Sequence, residues 1–370
     1  LRPQLILPSA VGHTGMDFDD LENEEESAGC AVVVPPDGDA GDQPAYQPED
    51  YMPPILRNFR LPDFSELPQQ IVRLLPEPDL HLKARPKVCI RCFVFYGAGD
   101  TWYAWAQLAA TAPPYCEVAV HEWPSHGSRD EEDALVTLDA LAEDAFRGIK
   151  PSLEQHATGG RIAGAPFAFI GHSIGCLVAV ALAKRVREEF ALEPAAVVML
   201  DRAAPHVPLH SEHGQSYRDE SPWDFMRDYN EMVYNTAKAA GGAKGERMIK
   251  MWVDDVKVGS DTRSVGYHTF KCDLLLLRAT RNMGIEMLKD SKDDKDRERH
   301  AIRDKLMGSP PGWAADCSPG QYEEWARWVE GDFIMRDINA DHVTIKSNRD
   351  ALDAIWDFMK DKKAQDPKPR

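Results

Sequence analysis

One stretch constrains the fold of this chain more than any other: residues 166–183, which read PFAFIGHSIGCLVAVALA. A short apolar run, a Gly-His-Ser-Ile-Gly turn and an amphipathic helix follow one another directly. A strand that reverses sharply into a helix forces its turn residue, here Ser173, into a strained conformation, and Gly171 and Gly175 let strand and helix approach without Cβ clashes. We therefore predict Ser173 to be a nucleophile at a strand-to-helix turn. The alternative is a glycine-rich turn without chemistry.

Apolar strand-like runs alternate with helix-like segments along the chain. Strands are predicted at 88–96, 117–123, 167–170, 195–200, 272–277 and 332–338, and helices at 101–110, 130–146, 174–190 and 348–360. This alternation predicts an α/β fold with a mostly parallel central sheet and helices on both faces. Chemistry in such sheets gathers at the carboxyl ends of the strands. Gly97, Ser173, Asp201 and His342 all lie just beyond predicted strand ends.

The domain organisation follows from shifts in composition. The first fifty residues hold twelve acidic residues against one basic residue, Arg2, so we expect 1–50 to be a disordered acidic arm. Because the chain starts at Leu1 and not at a methionine, we expect it to be a processed or excised piece. The remaining predicted parts are an extension at 51–86 with a short helix at 64–75, the α/β domain at 87–365, a helical lid at 205–270 and a charged insertion at 284–319.

Composition excludes several classes of function. With 43 basic against 61 acidic residues, the net charge of −18 argues against binding to nucleic acid or to an anionic membrane. No apolar run approaches the roughly 20 residues of a membrane span. The seven cysteines are an odd number, and most of them lie in runs typical of buried elements. This usage favours the cytoplasm or another reducing compartment, with organelle targeting left open.

A serine hydroxyl needs a base to become a good nucleophile near neutral pH. His342 is the candidate because it lies in a loop between the last predicted strand and the last helix, which gives the order serine first and histidine last. A loop histidine in solvent is the alternative. We expect His172, next to the serine, to pack beneath the turn.

The other histidine and cysteine clusters do not favour a metal. His206, His210 and His213 have metal-like spacing, but they lie in a proline-broken loop without an obvious acidic partner. Cys89 and Cys92 form a C-x-x-C within a predicted strand, where residues three apart point to opposite faces. We predict neither a metal nor a cofactor.

The histidine also needs a carboxylate that fixes its tautomer. Two strand ends offer a side chain: Asp201 follows one, and Asn282 lies after the next. We choose Asp201 because an amide cannot offset the charge of an imidazolium; a turn-capping aspartate is the alternative. The oxyanion hole is expected to use the backbone N–H groups of Ile174 and Gly97.

Three further stretches resemble a known family. FVFYGAGDTWYAW resembles the Phe-Pro-Tyr-Ala-Gly-Gly-Ser start of type II thioesterases, the editing enzymes of polyketide and nonribosomal peptide synthesis. HEWPSHGSRDEEDALVTLDALAEDAF is similar to their Pro-Gly-Arg-Gly-x-Arg stretch, and RAAPHVP to their Arg-Ala-Pro-His-Leu-Pro. The match covers about 88–207 and, more faintly, 272–357.

The resemblance implies an α/β-hydrolase fold and a hydrolase that acts on thioesters. The implied substrate is an acyl group on the phosphopantetheine arm of an acyl carrier protein, of polyketide or fatty acid type, or on acyl-CoA. Hydrolysis would pass through an acyl-Ser173 intermediate, released by water that His342 activates. The alternatives are a carboxylester hydrolase or acyltransferase on the same triad, or a catalytically impaired carrier-binding module.

The chain departs from the type II pattern at several positions. Type II enzymes carry their acid where this chain has Asn282, whereas Asp201 matches the acid of the chain-terminating thioesterases of fatty acid and polyketide synthases. His126 stands where type II enzymes have arginine. A free-standing editing enzyme and an excised terminal domain are therefore both open.

Methionine and aromatic side chains at helical spacing suggest that the lid contacts an apolar acyl chain. The same side chains would equally suit an ordinary lid core. The residues predicted to bind substrate are Trp223, Phe225, Met226, Tyr229 and Met232.

Overall fold

The computed structural model describes residues 90–362, together with strands at 59–60 and 71–76. Within 90–362 it leaves out 114, 159–165, 208–211, 261–264, 266–267 and 282–318, except that 294, 297, 298 and 301 of the last segment are described. The predicted acidic arm, the helix start at 64–70, Cys89, His210, Asn282 and almost all of the charged insertion therefore lie outside the described residues.

An eight-stranded sheet forms the centre of the fold, with strand order β1-β2-β4-β3-β5-β6-β7-β8. The six strands from β4 to β8 in this order are parallel, and β1 and β2 extend the sheet antiparallel at the β4 edge. The strands are β1 (Phe59–Arg60), β2 (Ile71–Pro76), β3 (Ile90–Phe95), β4 (Cys116–His121), β5 (Phe167–His172), β6 (Ala196–Leu200), β7 (Asp273–Ala279) and β8 (Phe333–Ile338).

Helices cover both faces of this sheet, which confirms the predicted α/β fold. They are α1 (Ala106–Thr111), α2 (Leu138–Thr158), α3 (Gly175–Phe190), α4 (Glu212–Glu220), α5 (Pro222–Tyr229), α6 (Glu231–Ala240), α7 (Gly242–Ser260), α8 (Pro319–Glu323) and α9 (Arg349–Lys360). Among the described residues, no helix is long and apolar enough to cross a membrane.

The burial of residues along each strand agrees with its position in the sheet. Every residue of β3, β4, β5 and β6 is buried, as expected for parallel strands covered on both faces. The edge strand β8 instead has partly buried and exposed residues, and only its last residue, Ile338, is buried. Between β6 and β7, helices α4 to α7 form a small layer with its own apolar core, which we call the lid.

Two predicted helices are wrong in part. The helix predicted at 130–146 begins only at Leu138 and continues to Thr158, because the buried apolar face starts at Leu138 and extends to Leu153. The preceding acidic run forms turns, in which Arg129 binds Glu132 and also reaches Asp144.

The second error concerns the predicted helix at 64–75, of which residues 71–75 belong to strand β2. This segment pairs with β4, from Ile71 opposite His121 to Leu74 opposite Val118. The edge of a parallel sheet offers unpaired backbone groups, and pairing with it outweighs a weak local helix propensity.

Candidate active site

The predicted nucleophile lies at the turn between β5 and α3. Ser173 has φ of +53°, a conformation that costs a residue other than glycine about 1–3 kcal/mol and therefore persists only where its surroundings impose it. A Cβ on Gly175 would lie 2.0 Å from the carbonyl oxygen of Phe95, and one on Gly171 would lie 2.7 Å from Cys176 Cα. The close approach of β3, β5 and α3 thus explains the Gly-x-Ser-x-Gly pattern.

The predicted base and acid meet at the neighbouring strand ends. His342 lies in the loop after β8, and its Nδ1 is 2.7 Å from Oδ2 of Asp201, the residue that follows β6. Asp201 is fully buried and, like Ser173, has a positive φ, of +50°. The backbone N–H of Ala279 and the hydroxyl of Tyr322 donate to its other oxygen, at 2.8 and 3.2 Å. The carboxylate is thus fixed by hydrogen bonds on both oxygens.

His172, predicted to pack beneath the turn, is buried and contacts the loop of the candidate base. Its Nε2 donates to the backbone carbonyl of His342 at 2.8 Å, and the two imidazole rings lie 4.8 Å apart. Burial lowers the pKa of His172 below its ordinary value, although nearby Asp100 acts in the opposite direction. His172 therefore supports the loop that carries His342 through this hydrogen bond.

A cavity of about 200 Å³ joins these groups. Ser173 and His342 both line it, as do Gly97 and Ile174, whose N–H groups are the predicted oxyanion donors. The Gly97 loop approaches the serine so closely that a Cβ there would lie 2.9 Å from Ser173 Cβ. The structure thus brings serine, histidine, aspartate and both donor residues to one end of the sheet.

Part of the cavity lining is polar, and this was not predicted from the sequence. Lys346 forms an ion pair with Asp100, and both residues line the cavity. Burial alone would raise the pKa of Asp100, but His172 and the Lys346 ammonium hold it below its ordinary value. The sequence offered no signal for this pair, because 246 residues separate its members.

The lid supplies the opposite wall, but only in part through the predicted residues. Tyr229 and Met232 line the cavity. Trp223, Phe225 and Met226 do not line it: Phe225 and Met226 are fully buried in the apolar core of the lid, and Trp223 packs against that core. Helical spacing identifies the apolar face of a helix but not which neighbour that face contacts. Trp252, Val256 and Val343 line the cavity in addition.

The described residues contain no group of three or more His, Cys, Asp or Glu side chains that could hold a metal ion. His206 lies 3.6 Å from Glu324 and stacks on Trp328, and His213 stacks on Tyr217. Cys92 is a buried free thiol in β3.

Two curated proteins are similar in sequence. Gramicidin S biosynthesis protein GrsT of Aneurinibacillus migulanus is 25% identical over 153 residues, which are 41% of this chain and 55% of that protein. The match thus spans about half the length of that relative. Linear gramicidin dehydrogenase LgrE of Brevibacillus parabrevis is 27% identical over 264 residues, 71% of this chain and 84% of that protein.

Solved structures share the fold. The thioesterase RedJ from the prodiginine pathway of Streptomyces coelicolor superposes with a TM-score of 0.53 at 18% identity, covering 78% of this chain and 97% of that one. The type II thioesterase BorB from the borrelidin biosynthetic cluster gives 0.50 at 17% identity, covering 76% and 94%. A family model described as the thioesterase domain matches residues 90–362. The chain therefore belongs to the thioesterase domain family, and the resemblance inferred from its sequence motifs is confirmed.

Proposed function

We propose that this protein is a serine thioesterase that hydrolyses acyl groups from the phosphopantetheine arm of a carrier protein. The observation that carries the proposal is the His342–Asp201 pair, with 2.7 Å between Nδ1 and Oδ2; His342 lines the cavity that is also lined by the strained Ser173. Thioester hydrolysis agrees with membership of the thioesterase domain family.

In the proposed reaction, His342 Nε2 removes the proton of Ser173 while Oγ attacks the thioester carbonyl. Asp201 holds the Nδ1 proton of the ring and stabilises the imidazolium that forms. The tetrahedral oxyanion is stabilised by the N–H groups of Ile174 and Gly97. Collapse breaks the C–S bond, and the imidazolium protonates the departing thiolate. A water molecule, deprotonated by His342, then attacks the acyl-serine ester. The acyl–Oγ bond breaks, the carboxylic acid is released, and the His342 imidazolium returns the proton to Ser173 Oγ.

Asp201 is the proposed acid because its carboxylate is already placed for this role. Both of its oxygens are engaged, Oδ2 by His342 and Oδ1 by Ala279 and Tyr322, so the ring can be held in a single orientation. A fully buried carboxylate beside the ring stabilises an imidazolium more strongly than a solvated one would.

The side chains that line the cavity favour an apolar acyl group as the substrate. Tyr229, Trp252 and Val256 line it, while Met232 and Val343, which are 70% and 48% exposed, lie at its mouth. The names of the two sequence relatives concern gramicidin and not fatty acids or polyketides. We therefore propose peptide carrier proteins as substrates beside acyl carrier proteins and acyl-CoA.

Hydrolysis assays with Ser173→Ala test the proposal. The variant should keep the thermal unfolding midpoint of the wild type and lose hydrolysis of an acyl-phosphopantetheinyl carrier protein, and an active-site phosphonate should label only the wild type. Unchanged turnover in the variant would contradict the proposal. A wild type that the phosphonate does not label would favour a catalytically impaired carrier-binding module.

Substrate comparison separates the remaining alternatives. The wild type should hydrolyse the carrier thioester faster than a matched oxygen ester or the same acyl-CoA. A preference for the oxygen ester would indicate a carboxylester hydrolase. Transfer to an added alcohol in place of hydrolysis would indicate an acyltransferase.

A further inference from the structure

A second buried histidine–carboxylate pair connects the lid to the sheet. Asp255, on lid helix α7, is 4% exposed, and its Oδ2 lies 3.0 Å from Nε2 of His126 in the turn after β4. The same oxygen accepts a hydrogen bond of 2.8 Å from the backbone N–H of Gly99. One lid carboxylate thus contacts two separate loops at the carboxyl ends of the strands.

The contacts of His126 favour a charged ring. Its Nδ1 lies 3.0 Å from the carbonyl oxygen of Pro124, which can only accept, and its Nε2 faces the Asp255 carboxylate. Both ring nitrogens therefore donate. Burial alone would lower the pKa of His126, but the Asp255 carboxylate raises it above its ordinary value. The other ionisable groups that face this ring are Glu122 and Tyr96.

Gly99 lies at the centre of the turn that joins β3 to the following helix. The Asp100 N–H donates to the Gly97 carbonyl at 3.3 Å and closes the turn, while Gly99 has φ of +68°. A Cβ on Gly99 would lie 2.1 Å from the indole of Trp252. The turn is thus in direct contact with α7, whose residues 252, 255 and 256 lie on one face of the helix.

The far end and the centre of this loop are held differently. At its far end, the Trp102 N–H donates to the Glu122 carboxylate at 3.4 Å, and Glu122 directly follows strand β4 of the sheet. At its centre, Gly99 N–H is bound by Asp255 of the lid. Gly97, the proposed oxyanion donor beside Ser173, lies two residues from that contact. The turn that contains Gly97 is thus in contact with a carboxylate that the lid provides.

We propose that Asp255 is a positioning residue for the thioesterase reaction. By accepting the Gly99 N–H, it holds the 97–100 turn in the conformation in which the Gly97 N–H points to the oxyanion, so the oxyanion hole is complete only when α7 is docked. This proposal rests on the proposed function. It adds that the lid serves the chemical step in addition to enclosing the acyl group.

The test uses p-nitrophenyl acetate, whose acyl group is too short to need the lid for binding. Asp255→Ala should lower kcat for this ester and for the carrier thioester alike, by about 10- to 100-fold, since loss of one complete oxyanion donor costs about 100- to 1,000-fold. Asp255→Asn keeps an acceptor for Gly99 N–H and should restore most of kcat. The matched control is Asp254→Asn, because Asp254 lies next along α7 and pairs with Lys250.

Wild-type kcat on p-nitrophenyl acetate in a folded Asp255→Ala variant would overturn the proposal, as would equal losses in the Asn and Ala variants. If Asp255→Ala does not fold, Asp255→Leu fills the same space without an acceptor and should show the same loss of kcat; wild-type kcat there would also overturn it. Hydrolysis retained by Ser173→Ala would instead refute the proposed function, and the two failures are thus distinguishable.

Discussion

Two histidine–carboxylate pairs differ in where their carboxylates lie: Asp201 follows strand β6 of the sheet, and Asp255 belongs to lid helix α7. The distances are similar, 2.7 Å for His342–Asp201 and 3.0 Å for His126–Asp255. The carboxylates differ in what holds them. Asp201 is bound by the last residue of β7, Ala279, and by Tyr322 of α8, whereas Asp255 is carried by a helix inserted between β6 and β7.

The second ring nitrogen separates the two roles. In His126 it donates to the Pro124 carbonyl, so both protons have a partner and the ring acts as a fixed cation. In His342 the ring lines the cavity with Ser173, which is the arrangement that a base needs. A histidine beside an aspartate is therefore not a functional signature by itself. The surroundings of the other nitrogen decide between chemistry and structure.

Asp201→Asn should have the largest effect, and it tests most directly whether the His342–Asp201 pair is catalytic. An amide at this position holds the wrong tautomer of His342 and cannot offset its charge, so kcat for thioester hydrolysis should fall by about 10⁴-fold. The measurement is kcat against pH with a carrier-bound acyl thioester. Asn282→Ala is the control, and its rate should change little. A larger loss in Asn282→Ala than in Asp201→Asn would show that the acid is assigned wrongly.

The lid should separate into residues that stabilise it and residues that line the cavity. Phe225→Ala removes a ring from the lid core and should lower the free energy of unfolding by about 3–5 kcal/mol. Trp252→Ala removes a cavity wall and should mainly raise KM for the carrier-bound substrate. Urea denaturation and steady-state kinetics on both variants test this. A raised KM without a lower free energy of unfolding in Phe225→Ala would show that Phe225 contacts the substrate and not only the lid core.

The sequence predicted the sheet well because each central strand is a largely apolar run, as burial on both faces favours. It also predicted that Ser173 lies at a strand-to-helix turn, because its glycine neighbours have a local steric cause; its role as a nucleophile remains a prediction. His342 and Asp201 could be named because each follows a strand, and the ends of parallel strands converge. Their 2.7 Å contact is in the structure, and its catalytic role remains a prediction.

The remaining features depend on contacts between distant segments. Tyr322 reaches Asp201 across 121 residues, and nothing in its local sequence indicates this. Asp254 and Asp255 are adjacent and identical in type, yet one binds Lys250 and the other His126. Successive helical residues differ by about 100° in direction, so only the docking of α7 decides which aspartate is buried against the sheet. Such roles cannot be predicted from spacing.

The pH dependence of stability should reveal the fixed cation. A histidine whose pKa is raised stabilises the fold below its ordinary pKa of about 6.5, and this contribution is lost as pH rises through the raised value. The free energy of unfolding of the wild type minus that of His126→Gln should therefore fall as pH increases above about 6.5. Urea denaturation at a series of pH values measures it.

His121 provides the opposite control. It pairs with Asp144 at 2.9 Å, but burial lowers its pKa, and the nearby Arg129 acts in the same direction. A lowered histidine pKa gives a contribution that is present above the ordinary value and lost as pH falls. The wild type minus His121→Gln difference should therefore increase with pH below about 6.5. Equal slopes for the two histidines would refute the assignment of a charged His126.

Tyr322→Phe should have the smallest effect, because the sheet-side carboxylate is held redundantly. The variant removes one donor to Asp201 Oδ1, while Ala279 N–H and His342 stay bound, so kcat should fall about fivefold, equivalent to one hydrogen bond of about 1 kcal/mol. Tyr217→Phe is the matched control, since it removes a hydroxyl that binds Asp228 within the lid. If Tyr322→Phe instead abolished activity, Asp201 would depend on a single donor as Gly99 depends on Asp255, and the contrast between the two pairs would disappear.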